Sequence, residues 1–315
     1  MAPADDDISI EEKRVYAGAA GRTDAYVATG SGVVRVALSA DKVGAFDMVS
    51  RDAARDVAVR PGGDAPDLVG VATPNGLLVS PVADELAFET VETGPIVAVG
   101  VHGDSFVVAG EDGGIDRIEF GHVETADRAS ESSGVGAGSD ATVTRVGSVV
   151  DPTAVDNPLV AAADGVHRIT DRDASEGGPA LVSVGLDDAR DVAGAGVPLA
   201  ATAGGLYWLG NGWMTALEGD AETVAADGDG HAMAVVGGDL LVRNAAASTG
   251  GSWSADAWTE SELPVDERGV ALGYGPGVSV VVTAAGTLCV DAGDGWRHQV
   301  IGVRDAEGVA LALVE

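Results

Sequence analysis

The sequence predicts an all-β fold, a seven-bladed β-propeller of four-stranded antiparallel blades. Three observations lead there. A small-apolar hairpin with a glycine-ended turn recurs seven times. Its turn glycines, Gly32, Gly76, Gly114, Gly165, Gly205, Gly238 and Gly286, stand 33 to 51 residues apart, a spacing close to that of one propeller blade. No stretch holds a helical period, and glycine is abundant at 46 residues of 315 without a triplet repeat.

The hairpin is the clearest element. It begins as Val27-Ala28-Thr29-Gly30-Ser31-Gly32-Val33 and returns as Val71-Ala72-Thr73-Pro74-Asn75-Gly76-Leu77. Further copies centre on Gly114, Gly165, Gly205, Gly238 and Gly286. Asn-Gly, Asp-Gly and Gly-Gly at these turns supply the positive φ that tight hairpins need. An element before the hairpin reads Ala54-Arg55-Asp56-Val57-Ala58 and again Ala189-Arg190-Asp191-Val192-Ala193. Weaker copies lie at residues 14–17, 95–98, 222–225 and 268–271. Its small residues suit an innermost strand beside a crowded axis. An element after the hairpin, as in Ala45-Phe46-Asp47-Met48-Val49 and Ala180-Leu181-Val182-Ser183-Val184, alternates apolar and polar residues like an outer strand with one wet face. Two copies enter it through a Gly-x-Gly-Trp turn at Trp213 and Trp296, which are expected to pack between blades.

Residues 1–10 are expected to form a disordered acidic tail and 11–315 the propeller. Ring closure has two candidates, residues 13–18 and residues 307–313, both of which read as an extra inner strand. Residues 122–142 read as a loop. Residues 244–262 carry Trp253 and Trp258, which fit either a blade edge or an exposed contact.

The charge narrows the partners. Fifty acidic residues face 18 basic ones, a net charge of −32, and only Lys13 and Lys42 are lysines. Such a field repels phosphate backbones, so no nucleic-acid partner is expected. In dilute salt it also opposes compaction, whereas at molar salt the Debye length shrinks to about 3 Å. The composition fits a salt-rich cytoplasm. No apolar run reaches membrane-spanning length, and the first residues have no apolar export segment, so a cytoplasmic protein without a membrane partner is expected. Cys289 is the only cysteine and sits in a strand pattern, as a small core residue would. The acidic, lysine-poor chain with its seven Ala-Thr-x-x-Gly-type hairpins resembles a family of haloarchaeal β-propeller proteins. The resemblance implies the fold and a salt-loving archaeal source; it implies no activity.

No complete catalytic constellation stands out. The five histidines lack metal-ligand spacing, and no cofactor is expected. His102 and His231 occupy equivalent turns and are expected to face solvent. Asp227-Gly228-Asp229-Gly230 is too short for a calcium loop. The non-random feature is arginine placement. Arg55, Arg190 and Arg268 each precede an inner strand, at one mouth of the channel, on the face that also carries the hairpin turns. With Asp56 and Asp191 they form a candidate site for an anionic ligand. The plainer reading pairs each arginine with a nearby acid such as Asp52, Asp56, Asp188, Asp191 or Asp266. The expected function is a non-catalytic protein-protein interaction scaffold, with the loops bordering the channel mouth as its contact surface. The alternative is a small-ligand binder or a hydrolase- or lyase-type enzyme whose site lies at that mouth, with Asp56 and Asp191 as its acids.

Overall fold

A computed structural model describes residues 22–63, 65–120, 141–171, 180–243 and 252–314. They form seven four-stranded antiparallel sheets, each one blade of a closed ring. The seven innermost strands are Ala306–Val314, Asp56–Arg60, Ile96–His102, Pro152–Asp156, Ala189–Ala193, Ala221–Ala226 and Gly269–Gly275, for blades 1 to 7 in that order. Each packs against the innermost strands of both neighbouring blades, and blade 7 meets blade 1.

The C-terminal strand closes the ring. Ala306–Val314 pairs antiparallel with Arg22–Thr29, from Ala306 opposite Thr29 to Val314 opposite Arg22. It supplies the inner strand of the first blade, whose other three strands come from residues 22–50. Of the two closure candidates, 307–313 therefore takes the position. The rival at 13–18, the candidate inner strand at 14–17 and the tail at 1–10 lie outside the described residues, as do most of 122–142 and the first part of 244–262.

All seven hairpins form where the repeat places them. The Thr of the Ala-Thr-x-x-Gly motif explains its recurrence. Thr29 Oγ1 donates to the Gly32 carbonyl at 2.8 Å and accepts from the Ser31 N–H at 3.2 Å. Thr73 repeats this with Gly76 and Asn75, and Thr202 with Gly205 and Gly204. The side chain thus satisfies turn groups that a two-residue loop leaves over. The turn glycine is needed for two reasons. At Gly32, φ is +136°, and a Cβ would sit 2.1 Å from the Ser50 carbonyl of the outer strand. In the third hairpin the left-handed residue is Gly113 rather than Gly114, because that turn is longer.

The core is divided into seven layers, one at each blade-blade boundary. Valine and alanine dominate them, as the low aromatic content requires. Each fully buried Val or Leu contributes about 1.5–3 kcal/mol. The blades approach closely enough to demand glycine at the axis. A Cβ on Gly194 would lie 1.6 Å from the Asn157 carbonyl, and one on Gly100 would lie 2.4 Å from the Val155 carbonyl. Larger residues seal the outside. Trp213 donates its indole N–H to the Val184 carbonyl of the preceding blade at 2.9 Å, and Trp296 donates to Ser261 Oγ of its preceding blade at 2.9 Å. Both therefore bridge blades, as expected. Trp253 and Trp258 are buried at the outer edge of blade 6, which selects the blade-edge alternative for them. Cys289 is wholly buried, and desolvation pushes its thiol up to about 12.

Candidate functional site

The central channel is a cavity of about 710 Å³, and the inner strands of all seven blades line it. Connectors between blades and hairpin turns share one face. The Ala54 N–H reaches the Thr29 carbonyl and the Asp188 N–H reaches the Ala163 carbonyl, so each connector is tied to the turn of the blade just completed. The inner strands start at this face. Their first channel-lining residues form a ring: Glu307, Arg55, Val97, Thr153, Arg190, Glu222 and Val270. Arg55, Asp56, Arg190 and Asp191 are thus brought together on the channel wall; Arg268 does not line it.

The next residue, Asp56 or Asp191, also lines the channel and reaches the following blade. Asp56 Oδ1 accepts the N–H of Val57 at 2.8 Å, and Oδ2 accepts the N–H of Val99 on blade 3 at 2.9 Å. Asp191 makes the same bridge from blade 5 to blade 6. Its Oδ1 accepts from Val192 at 2.8 Å, and its Oδ2 accepts from Val224 at 2.8 Å and from Thr223 Oγ1 at 2.6 Å on blade 6. Each carboxyl replaces a backbone acceptor that an edge strand lacks.

A third carboxyl, Asp156, does this between blades 4 and 5, accepting the Gly194 N–H at 2.7 Å. Sequence reasoning missed it. Asp156 does not follow an arginine and lies two residues beyond the register of Asp56 and Asp191. Ala154 pairs with Ala161 where Asp56 pairs with Ala72. The signal was its two-residue offset, which keeps the same strand face.

Burial governs these groups. Desolvation raises Asp56 to about 7, and Asp156 and Asp191 to about 6, against the opposing pull of their backbone hydrogen bonds. Asp191 and Asp156 push Asp56 further up, and Asp156 does the same to Asp191.

The arginines pair with acids, but not with those adjacent in sequence. Arg55 Nη1 reaches the Ile96 carbonyl at 3.1 Å and Glu111 at 2.5 Å, both on blade 3. Arg190 Nη1 reaches Asp220 at 2.7 Å and the Ala221 carbonyl at 3.3 Å, at the start of blade 6. Arg268 pairs with Glu222 of blade 6. The partners are not Asp56 or Asp191, because those carboxyls already face backbone N–H groups. The arginines therefore act across blades rather than within one connector.

At the opposite face, His102 is held rather than solvated. Its Nδ1 meets Asn157 Oδ1 at 2.8 Å and its Nε2 meets Asp171 at 3.1 Å, both on blade 4. This corrects the expectation of a solvent-facing turn, since the neighbouring blade supplies two partners within reach. His231 Nδ1 pairs with Asp227 Oδ2 at 2.6 Å. Asp227 also accepts the N–H groups of Asp229 and His231, so the Asp-Gly-Asp-Gly run is a self-capped turn. Among the described residues, no group of three or more His, Cys, Asp or Glu is arranged to hold a metal ion. No helix among them is long and apolar enough to cross a membrane.

A sequence model of the HVO_0234-like β-propeller family matches residues 9–312. The chain belongs to that family. No protein of curated function matches this family member. Solved structures resemble the propeller in shape. Virginiamycin B lyase from Staphylococcus aureus is 11% identical with a TM-score of 0.55, covering 82% of this chain and 91% of its own. YCF48 bound to D1 peptide is 12% identical with a TM-score of 0.54, covering 93% and 97%. Apo AztD from Citrobacter koseri is 13% identical with a TM-score of 0.51, covering 91% and 83%. At such identities the likeness is one of fold alone, and it spans a lyase and a peptide-bound protein.

Proposed function

We propose that the protein is a non-catalytic scaffold that binds a protein partner in the salt-rich cytoplasm of a halophilic archaeon. The observation that carries this reading is where apolar surface stays exposed. Of the eight large apolar side chains exposed among the described residues, six lie on the outermost strands: Phe46, Met48, Val143, Val182, Met214 and Val300. The rim, rather than the loops at the channel mouth, is then the contact surface. Phe46 and Met48 stand two apart on the strand Lys42–Ser50, beside one of the chain's two lysines. An exposed apolar pair on one strand favours contact where the rest of the surface is polar and charged. Carboxyls and guanidiniums that bind blade to blade make the platform rigid. Peptide binding by YCF48, a fold neighbour, is consistent with a propeller in this role. The net charge of −32 supports the salt-rich setting.

The test is affinity purification from native high-salt cytosol with wild type and with Phe46→Glu/Met48→Glu. Wild type should retain a stoichiometric protein partner that the variant loses, with the melting temperature unchanged. Retention of the same partner by the variant, or purification with a metabolite and no protein, overturns the reading.

A further inference from the structure

A groove of about 380 Å³ lies between blades 6 and 7 on the face opposite the connectors, a volume that holds small ligands. Tyr274 lines both this groove and the channel, so the two spaces adjoin. The blade 7 wall carries a row of polar side chains. Tyr274 pairs across the sheet with Ser279, and Ser279 with Asp291. The three therefore share one face of three neighbouring strands, with successive Cβ atoms about 5 Å apart. The blade 6 wall presents His231 with the paired Met233 and Val242. Trp296, its N–H already given to Ser261, adds its ring to the lining.

The polar groups of this groove are unspent. Tyr274 and Ser279 make no hydrogen bond among the described residues. Asp291 accepts the N–H groups of Gly293 and Gly295 on Oδ1 alone, leaving Oδ2. His231 gives its Nδ1 proton to Asp227, leaving Nε2. Desolvation would raise the Asp227 carboxyl, but the bonds from His231 and from the N–H groups of Asp229 and His231 hold it below its ordinary value. The ionised Asp227 thus fixes the imidazole tautomer, and Nε2 of the neutral ring is an acceptor. Desolvation, with Asp227 adding to it, raises the Tyr274 phenol, which stays a hydroxyl. The full positive charge nearby is occupied: Arg243 stacks on Trp253 at 3.8 Å and donates to the Gly230 and Ser252 carbonyls.

The groove therefore offers two acceptors, His231 Nε2 and Asp291 Oδ2, and two hydroxyls that both give and take. An anion leaves the acceptors without donors. An ammonium supplies donors but leaves the two hydroxyl protons without an acceptor. Hydroxyl groups on a ligand answer both needs. We infer that this groove binds a small neutral polyol, a monosaccharide or a cyclitol, with its hydroxyls on these four side chains and its C–H surface against Met233, Val242 and Trp296. The inference goes beyond the scaffold reading and does not rest on it, because the groove and the apolar pair on the rim of blade 1 are different surfaces.

The experiment is isothermal titration of the folded protein with D-glucose, D-mannose and myo-inositol, and with cyclohexylammonium as a cation of like size. At least one polyol should bind saturably, and cyclohexylammonium should not. Ser279→Ala and Tyr274→Phe should each weaken that polyol about tenfold, as expected for one lost hydrogen bond that strands its partner. Ser279→Ala should do so at an unchanged melting temperature, since its hydroxyl holds no contact in the fold. His231 is half-exposed, and bound polyol should shield its Nε2 from acylation by diethyl pyrocarbonate, read by peptide mass mapping. Absence of binding by all three polyols overturns the inference. So does binding of cyclohexylammonium in their place, unchanged affinity in either variant, or undiminished acylation of His231 at saturation. Phe46→Glu/Met48→Glu should bind the polyol as wild type does, which separates failure here from failure of the scaffold reading.

Discussion

Asp56, Asp156 and Asp191 each work as a hydrogen-bond acceptor that one inner strand lends to the next, and each is costly in its charged form. Their folded-state pKa values lie above the ordinary carboxylate value. The cost is absent below about pH 4, where folded and unfolded chains are both protonated. It grows from there to about pH 7 and is complete above that. Stability from these groups therefore rises as the pH falls from 8 to 5. A rise of ~2–4 °C in Tm between pH 8 and pH 5 is expected. Asp56→Asn/Asp191→Asn should flatten that rise while lowering the melting temperature at pH 5; calorimetry at both pH values measures it. Asp56 and Asp191 were legible in the sequence because each sits in an Ala-Arg-Asp-Val-Ala repeat. Asp156 was not, because Pro152 opens its strand and no arginine marks it. The arginines' true partners were illegible for a physical reason: Glu111 and Asp220 come near only once neighbouring blades are packed.

At the scale of the element, a blade is a meander whose hairpin is fixed by a threonine and whose outer side is fixed by a neighbour. Trp213 and Trp296 occupy the same place in blades 5 and 7, and each gives its indole N–H to the preceding blade. Trp213→Phe and Trp296→Phe keep the ring but lose the donor. Each should cost about 1 kcal/mol in chemical denaturation, and the two costs should add because their boundaries differ. The hairpins could be read from sequence because Thr and Gly recur at fixed offsets. The innermost strand of blade 4 could not, since its residues 152–156 share little with the Arg-Asp-Val pattern used elsewhere. Packing rather than sequence likeness puts it in line: Val155 enters the same layer as Ala98 and Val107 of blade 3.

For the whole molecule, the decisive feature is that blade 1 is assembled from both ends of the described chain. Truncation after Asp305 removes the strand Ala306–Val314 and strips cover from Ala25, Val27 and Ala312's layer-mates. The truncated chain should lose cooperative unfolding and expose apolar surface, seen as dye binding and loss of a single thermal transition. An unaltered transition would mean that the ring holds without its closing strand. Sequence periodicity gave two claimants for that role, because both runs are short and apolar; only the pairing opposite Arg22–Thr29 separates them. Closure of this kind also sets an order of events. During synthesis three strands of the first blade emerge before the other six blades and wait, one flank bare, until those have been made. The strand that seals the first blade follows all of them, so a chain released before it is left with an open seam.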